Sequence, residues 1–348
     1  MTKRTQNSTP QRKLASALPI RAALLPWYRA HQRRLPWRAS PTLYKTVVSE
    51  FMLQQTQVET VLPYFDRWLK KFPDFAALDK AKEAEVLKMW EGLGYYRRAR
   101  LLHELAKAWT KLPQKPQTIE EWLELPGVGP YTAAAITSIS FSTPAAVVDG
   151  NVVRVLARIM GEHTLFKDGS EAVKFFTAAA NELLDTVNPG DHNQAMMELG
   201  ATVCTRRNPQ CLLCPVRTWC AASAKGEMED LPRFVAKKTK QTKLVRLWIE
   251  HDGKLLLHRK ASTSKRLAHL CELPDAASLP KAVIEKKSLA IKRRTIANEQ
   301  FTESIHRATL KIGNLEKDSG LLWATSAQLK KLTLSGPHRK WIEELQSK

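Results

Sequence analysis

The chain has 348 residues and carries 55 lysines and arginines against 34 aspartates and glutamates, a formal net charge of +21. That length suits two or three separate cores, and that charge favours a polyanionic partner, nucleic acid before any other. No apolar run is long enough to span a bilayer and no amphipathic basic segment stands out as an interfacial anchor, so no membrane partner is expected. Five cysteines, four of them between Cys204 and Cys220, do not form a secreted disulfide framework and imply a reducing compartment and a metal site; with a nucleic-acid partner, a cytoplasmic, nucleoid-associated location is expected.

Residues 1–18 carry Lys3, Arg4, Arg12 and Lys13 with no acid, which reads as a basic arm or a very short organelle-targeting segment. From 19 to 230 the pattern is helix after helix. Leu101, Leu102, Leu105, Trp109 and Leu112 recur at helical spacing, and Thr118 with Glu121 makes a capping box for a helix that Pro126 ends. LPGVGP at 125–130 then joins two helices. Gly127 and Gly129 allow a tight turn, Pro130 suits a first helical position, and the outward backbone N–H groups fit a phosphate; on its own the motif would read by default as an ordinary helix–helix turn, and the cysteine cluster downstream adds weight to the phosphate site. Asn151 is the expected cap for a helix over 152–160 that Gly161 closes, and Val173, Phe176, Ala180, Leu183 and Leu184 form a further stripe after Ser170.

Cys204, Cys211, Cys214 and Cys220 are spaced C-x6-C-x2-C-x5-C, with Pro209 and Pro215 enforcing turns. A 4Fe-4S cluster, a four-cysteine zinc site and unrelated buried cysteines compete, and the single C-x2-C pair favours iron and sulfur over zinc. Arg206, Arg207 and Arg217 beside the loop make it a basic finger for phosphates, with the cluster in a structural role. Cys271 reads as a small buried hydrophobe. Six basic residues and no acid lie between Arg233 and Arg246, so 231–243 is expected to be a linker. Beyond it the period drops to two: Val245, Leu247 and Ile249 alternate with polar or aromatic neighbours, His251-Asp252-Gly253 makes a turn, and a second run follows at 254–258. This predicts a hairpin in a smaller α+β domain over 244–348, with Leu310 and Ile312 in another strand.

The hairpin LPGVGPYTA, VDGNV at 148–152 and the spaced cysteines resemble the endonuclease III superfamily of helix-hairpin-helix DNA glycosylases. LPWR at 35–38, SEFMLQQTQV at 49–58, GLGYYRRAR at 92–100 and NQAMMELGA at 193–201 resemble its MutY-type adenine glycosylases, over roughly residues 20–222. The resemblance implies a mainly α-helical glycosylase domain with a helix-hairpin-helix, a 4Fe-4S loop, and removal of adenine mispaired with 8-oxoguanine or guanine from duplex DNA by a monomer that meets replication or repair proteins. Purine release needs an acid near the base and a carboxylate near C1′. In this reading Glu50, with a raised pKa in an apolar helix, protonates N7, while ionised Asp149 stabilises the oxocarbenium ion. Tyr131 and Asn151 orient Asp149 and the water.

Strand-cutting relatives carry a lysine where this chain has Tyr131, and no lysine lies between Lys115 and Lys167, so a monofunctional enzyme is expected. Arg38 and Gln194 address the adenine edge; Gln54, Gln55 and Tyr95 fill the gap left by the flipped nucleotide. The last domain resembles the Nudix-like domain that senses 8-oxoguanine, with departures: His269 stands where glycine is usual, and Ser304-Ile305-His306 replaces Phe-Ser-His, leaving His306 as the reader. The Nudix hydrolase signature is absent. A pyrimidine mismatch glycosylase and a non-catalytic iron-sulfur DNA-binding protein are the alternatives.

Overall fold

The computed structural model describes residues 17–236, 239–261, 269–296, 298–310 and 320–347. The basic arm and the expected strand position Ile312 therefore lie largely outside the described residues. Helices come first: α1 (Ala17–His31), α2 (Pro36–Ala39), α3 (Leu43–Leu53), α4 (Val58–Lys71), α5 (Phe75–Asp79), α6 (Glu83–Met89) and α7 (Arg97–Lys111). They are followed by α8 (Ile119–Leu123), α9 (Pro130–Phe141), α10 (Gly150–Met160), strand β1 (Leu165–Phe166), α11 (Gly169–Leu183), α12 (Pro189–Thr202), α13 (Ala221–Lys225) and β2 (Arg233–Phe234). The remainder is β3 (Lys240–Trp248), β4 (Glu250–His251), β5 (Lys254–Arg259), β6 (Cys271–Glu272), β7 (Val283–Ile296), β8 (Glu299–Thr309), β9 (Leu321–Thr325), α14 (Ser326–Lys331) and α15 (Gly336–Gln346). The helical glycosylase-type fold with a strand-containing C-terminal part is what the sequence implied.

Packing divides the chain into two compact units, one from residues up to 50 with 112–236, the other from 51–111 with the residues after 236. This differs from a cut at 231–243, because the helices of 51–111 are bound to the C-terminal residues. Arg339 pairs with Glu91, Lys88 donates to the Leu332 carbonyl, and the Tyr96 hydroxyl donates to that of Leu334. The expected linker is also mostly structured: Leu231 is buried, β2 pairs in parallel with β1, and Lys240 already begins β3.

In the first unit α10 supplies the central stripe. Val152, Val155, Leu156 and Ile159 pack against Ile20, Leu24 and Tyr28 of α1, Phe176 and Leu183 of α11, and Met196 and Leu199 of α12. Each such side chain removed from water stabilises the fold by about 1.5–3 kcal/mol. Helix α12 crosses α10 at Gly200, where a Cβ would lie 2.6 Å from the Cβ of Asn151, so only glycine permits the approach. The Thr118–Glu121 capping box opens α8, and Gly127, at φ +77°, turns the chain into α9 with Pro130 at its first position. Gly129 has an ordinary φ of −102°, and the space in front of it is open.

In the second unit β3, β8 and β7 form one sheet in that order, β3 parallel and β7 antiparallel to β8. β5 pairs with β4, β6 and β9 in another. The predicted hairpin is thus cut short. Only β4 turns back onto β5, while β3, although it leads directly into β4, pairs with β8, because Arg246, Leu247, Trp248 and Ile249 are all buried rather than alternating. Leu255, Leu257, Leu273, Ile305, Trp341 and Ile342 form the core. His269 does adopt a left-handed φ of +62°, the conformation that glycine takes without strain.

Candidate active site and iron-sulfur loop

The start of α10 is built around Asp149, not Asn151 as the sequence suggested. Asp149 is the N-cap: its Oδ1 accepts from the backbone N–H groups of Asn151 and Val152, both at 2.8 Å, and its Oδ2 accepts from Asn151 Nδ2 at 2.9 Å. Asp149 stands just before the first turn, where one carboxylate oxygen reaches both orphan N–H groups, while Asn151 already lies inside the helix and its amide turns back to donate to Asp149. The Asn151 amide is itself oriented, since Arg154 Nη2 donates to its Oδ1 at 2.9 Å. The extended run into Asp149 is pinned by buried Asn193, which accepts from Val147 N and donates to the Ala145 carbonyl and Ser138 Oγ.

Glu50, 7 % exposed on α3, converges on the same place. Its carboxyl is pushed up to about 7, first by burial and then by the negative charge of Asp149; a hydrogen bond with Tyr131 and the charge of Arg38 oppose the rise. Burial also raises Asp149, against its three hydrogen bonds and the charge of Arg154. At Asp149, then, burial outweighs the donors. Two carboxylates that repel each other titrate as a pair, and the first proton the pair takes up is shared between them. Tyr131, in the first turn of α9, bridges them electrically: burial and both carboxylates raise its hydroxyl well above the usual range, which keeps it a neutral donor. The hydroxyl also lies 3.4 Å from Met197 Sδ.

Arg38 and Gln194 meet directly, Arg38 Nε donating to Gln194 Oε1 at 3.0 Å. Behind them is a residue that the sequence reading passed over, Glu198, one turn further along α12 and fully buried. Arg33 binds it through backbone N, Nε and Nη2, and Arg38 through Nη1 at 2.9 Å. Burial alone would push the Glu198 carboxyl up, but the two arginines outweigh it and hold it low. The only sequence trace of this was its position four residues after Gln194, on the same helical face.

The four spaced cysteines line one cavity with Arg158, Val203, Arg217, Ser223 and Met228. Arg158 stiffens this loop: Nη1 lies 3.3 Å from Cys204 Sγ and 2.7 Å from the Thr205 carbonyl, while Nη2 and Nε reach Arg206 O and Leu231 O. Burial pushes the Cys214 thiol up to about 11, and the other three sulfurs push it further in the same direction. Four sulfurs lining one cavity fit a cationic iron-sulfur core, and Cys204, Cys211, Cys214 and Cys220 are the residues that would hold a 4Fe-4S cluster there. When bound, it cross-links the loop; the arginines around it present positive charge. Arg154 Nε donates to the Cys204 carbonyl at 2.8 Å, so one guanidinium touches both this loop and the Asn151 amide.

The remaining candidates lie in the second unit. Gln54 and Gln55 follow α3, Gln55 at φ +56°; Tyr95 sits at φ +47°, 53 % exposed. Both turns are tied to Arg98, another residue not singled out in the sequence. Its Nη1 donates to the carbonyls of Phe51, Met52 and Gln54, Nη2 to Thr56 Oγ1, and its guanidinium lies 5.4 Å from the Tyr95 ring centre. His306 is inside strand β8 rather than in a loop, its Nδ1 2.9 Å from the Glu285 carbonyl.

Comparison with known proteins accords with this arrangement. Residues 48–177 match the HhH-GPD superfamily of base excision DNA repair proteins, and residues 204–220 match the iron-sulfur binding domain of endonuclease III. An adenine DNA glycosylase of Schizosaccharomyces pombe is 39 % identical over 61 % of this chain and 53 % of its own length; the chain thus spans about half of that relative. An adenine DNA glycosylase of Buchnera aphidicola is 34 % identical over 79 % of each chain. Among solved structures, a thermostable thymine-DNA glycosylase superposes with a TM-score of 0.54 at 28 % identity, over 60 % of this chain and 97 % of the other. With its carboxylate pair, its cysteine loop and these relatives, the chain belongs to the adenine DNA glycosylase family within the HhH-GPD superfamily.

Proposed function

We propose that the chain is a monofunctional glycosylase that flips adenine out of duplex DNA, where it faces 8-oxoguanine or guanine, and hydrolyses its N-glycosidic bond. The observation that carries this reading is the carboxylate pair: Glu50, raised to about 7, linked through Tyr131 to Asp149, which is surrounded by donors. Glu50 gives its proton to N7, the C1′–N9 electrons leave with the base, and Asp149 stabilises the positive charge left on the sugar. Water then adds at C1′ and its proton passes to a carboxylate of the pair. With Tyr131 in place of an amine, no Schiff base forms and the strand stays intact.

Exposed Tyr95 and Gln55, both on strained backbone, suit a wedge beside the extruded nucleotide, and Gly127 to Pro130 with the arginines of the cysteine loop suit phosphates. His306 suits the opposite base. Since a carbonyl accepts at its Nδ1, the neutral ring offers Nε2 as an acceptor, the partner required by the N7–H that 8-oxoguanine has and guanine lacks. The test is single-turnover release of adenine opposite 8-oxoguanine. Free adenine with an unbroken strand is expected, at a rate that falls as pH rises through about 7; thymine release in its place, or none, defeats the reading. His306→Ala is expected to narrow the rate ratio between 8-oxoguanine and guanine partners, and an unchanged ratio removes His306 from that role.

A further inference from the structure

Between α6 and α7 three of four consecutive residues have left-handed backbone: Gly92, Gly94 and Tyr95, at φ +106°, +71° and +47°. A tyrosine held there is strained, and such backbone persists only where its surroundings over-determine it. Much of the restraint comes from the segment between the end of α14 and the first turn of α15. Glu91, at the entrance to the turn, has both carboxylate oxygens taken, Oε1 by Arg339 Nε and Oε2 by Lys88 Nζ. Arg339 is itself fixed, since its Nη1 and Nη2 donate to the carbonyls of Leu329 and Leu332 at 2.9 and 2.8 Å. At the far side, buried Tyr96 accepts from Gly92 N at 3.3 Å and donates to the Leu334 carbonyl at 3.2 Å. Gly336 lies against the turn, where a Cβ on it would be 3.6 Å from the Gly92 Cα. The Tyr64 hydroxyl donates to the Glu91 carbonyl at 2.9 Å and stands 2.0 Å from where a Gly92 Cβ would be. These contacts fix Glu91, Gly92 and Tyr96 and leave the Tyr95 ring between them exposed.

We propose that Arg339 is a positioning residue for base extrusion: through Glu91 it holds the turn in the conformation that presents the Tyr95 ring as a wedge. The inference rests on the base-excision reading above, in which Tyr95 fills the gap beside the flipped nucleotide. A ring set in advance loses little freedom on entering the base stack, whereas a ring on a loose turn must be ordered first, and the flipped state is then less populated. The C-terminal segment thereby takes part in opening the duplex, separately from any reading of the opposite base by His306.

The experiment is a double-mutant cycle on single-turnover release of adenine opposite 8-oxoguanine, with the full chain. Arg339→Met is expected to slow release about tenfold, Tyr95→Ala by at least as much, and the double variant no further than Tyr95→Ala alone. The fluorescence rise of 2-aminopurine placed at the adenine position, read on mixing and before any release, should shrink in the same pattern. A merely structural role for Arg339 multiplies the two losses; that result, or an Arg339→Met rate equal to wild type, overturns the proposal. If Arg339→Met does not fold, Arg339→Lys takes its place, keeping a charge beside Glu91 without the fork that binds two carbonyls, and the same coupling is expected at a smaller factor. Two other failures are separable: no adenine release by the wild type defeats the base-excision reading, and a wild-type rate in Tyr95→Ala defeats the wedge, the proposal falling with either.

Discussion

Both units bury carboxylates, and they treat them in opposite ways. In the first, Glu50 is raised to about 7 and Asp149 is raised as well, because neutral donors and a single guanidinium for each, Arg38 for Glu50 and Arg154 for Asp149, do not offset burial. In the second, Glu272 and Glu303 are just as buried yet held at about 2: burial raises them, and Arg246, Arg294 and His338 more than reverse it. Arg246 alone binds Glu303 Oε2 and Glu272 Oε2, and Ser335 donates to Glu272 Oε1. Burial of an acid is therefore no sign of chemistry by itself. What separates a proton donor from a structural anion is how much positive charge the fold places beside it, and Glu198, clasped by two arginines, shows the anion version inside the catalytic unit.

The contrast can be broken in several places. The largest effect is expected from Asp149→Asn: asparagine is an equally good helix cap, so the fold should persist, while adenine release falls about a thousandfold with the charge facing the sugar removed. A rate within tenfold of wild type would reduce Asp149 to a cap. Next is Glu303→Gln in the second unit, which leaves buried arginines without their counter-charge and should cost about 3–5 kcal/mol in urea unfolding; a loss under about 1 kcal/mol means the network is not tightly balanced.

Glu50→Gln should act on stability with the opposite sign. A folded pKa above the unfolded value of 4.5 means that ionised Glu50 opposes folding, so the wild type loses stability as pH rises from about 4.5 to about 7. The variant should be more stable by as much as about 3 kcal/mol at pH 8, with the gain gone at pH 4. Melting curves at the two pH values check this, and an equal gain at both contradicts it. The smallest effect expected is about tenfold in rate, from Arg154→Lys, since a lysine cannot hold the Cys204 carbonyl and the Asn151 amide together and the attacking geometry loosens. Unchanged kinetics would separate the cysteine loop from the cap of α10.

Much of the first unit was legible because its signals are local. Cysteine spacing and Gly127 before Pro130 are written in a few adjacent letters, and so is the start of α10, although those letters put its cap at Asn151 and the structure puts it at Asp149. Glu198 was not, because in MMELGA it looks like any polar helical position; only arginines 160 and 165 residues away make it a buried anion. Arg98 and Asn193 were missed likewise, their partners being mostly backbone groups far away in sequence. The reading of 245–258 as one long hairpin failed because alternation records exposure but not which strand is the partner. Buried Arg246 breaks that alternation, and its reason lies in Glu272 and Glu303 further along the chain.

Gly200 has an outcome that reaches past packing. The space it leaves is filled by Asn151, whose amide steadies Asp149, the carboxylate proposed to face the sugar. A single methyl group there would prise two helices apart at the residue that orients Asp149, and so at the point where the proposed attack on C1′ is set. A screen scoring only folded protein would pass such a change as mild, whereas one scoring repair would rank it beside loss of the acid.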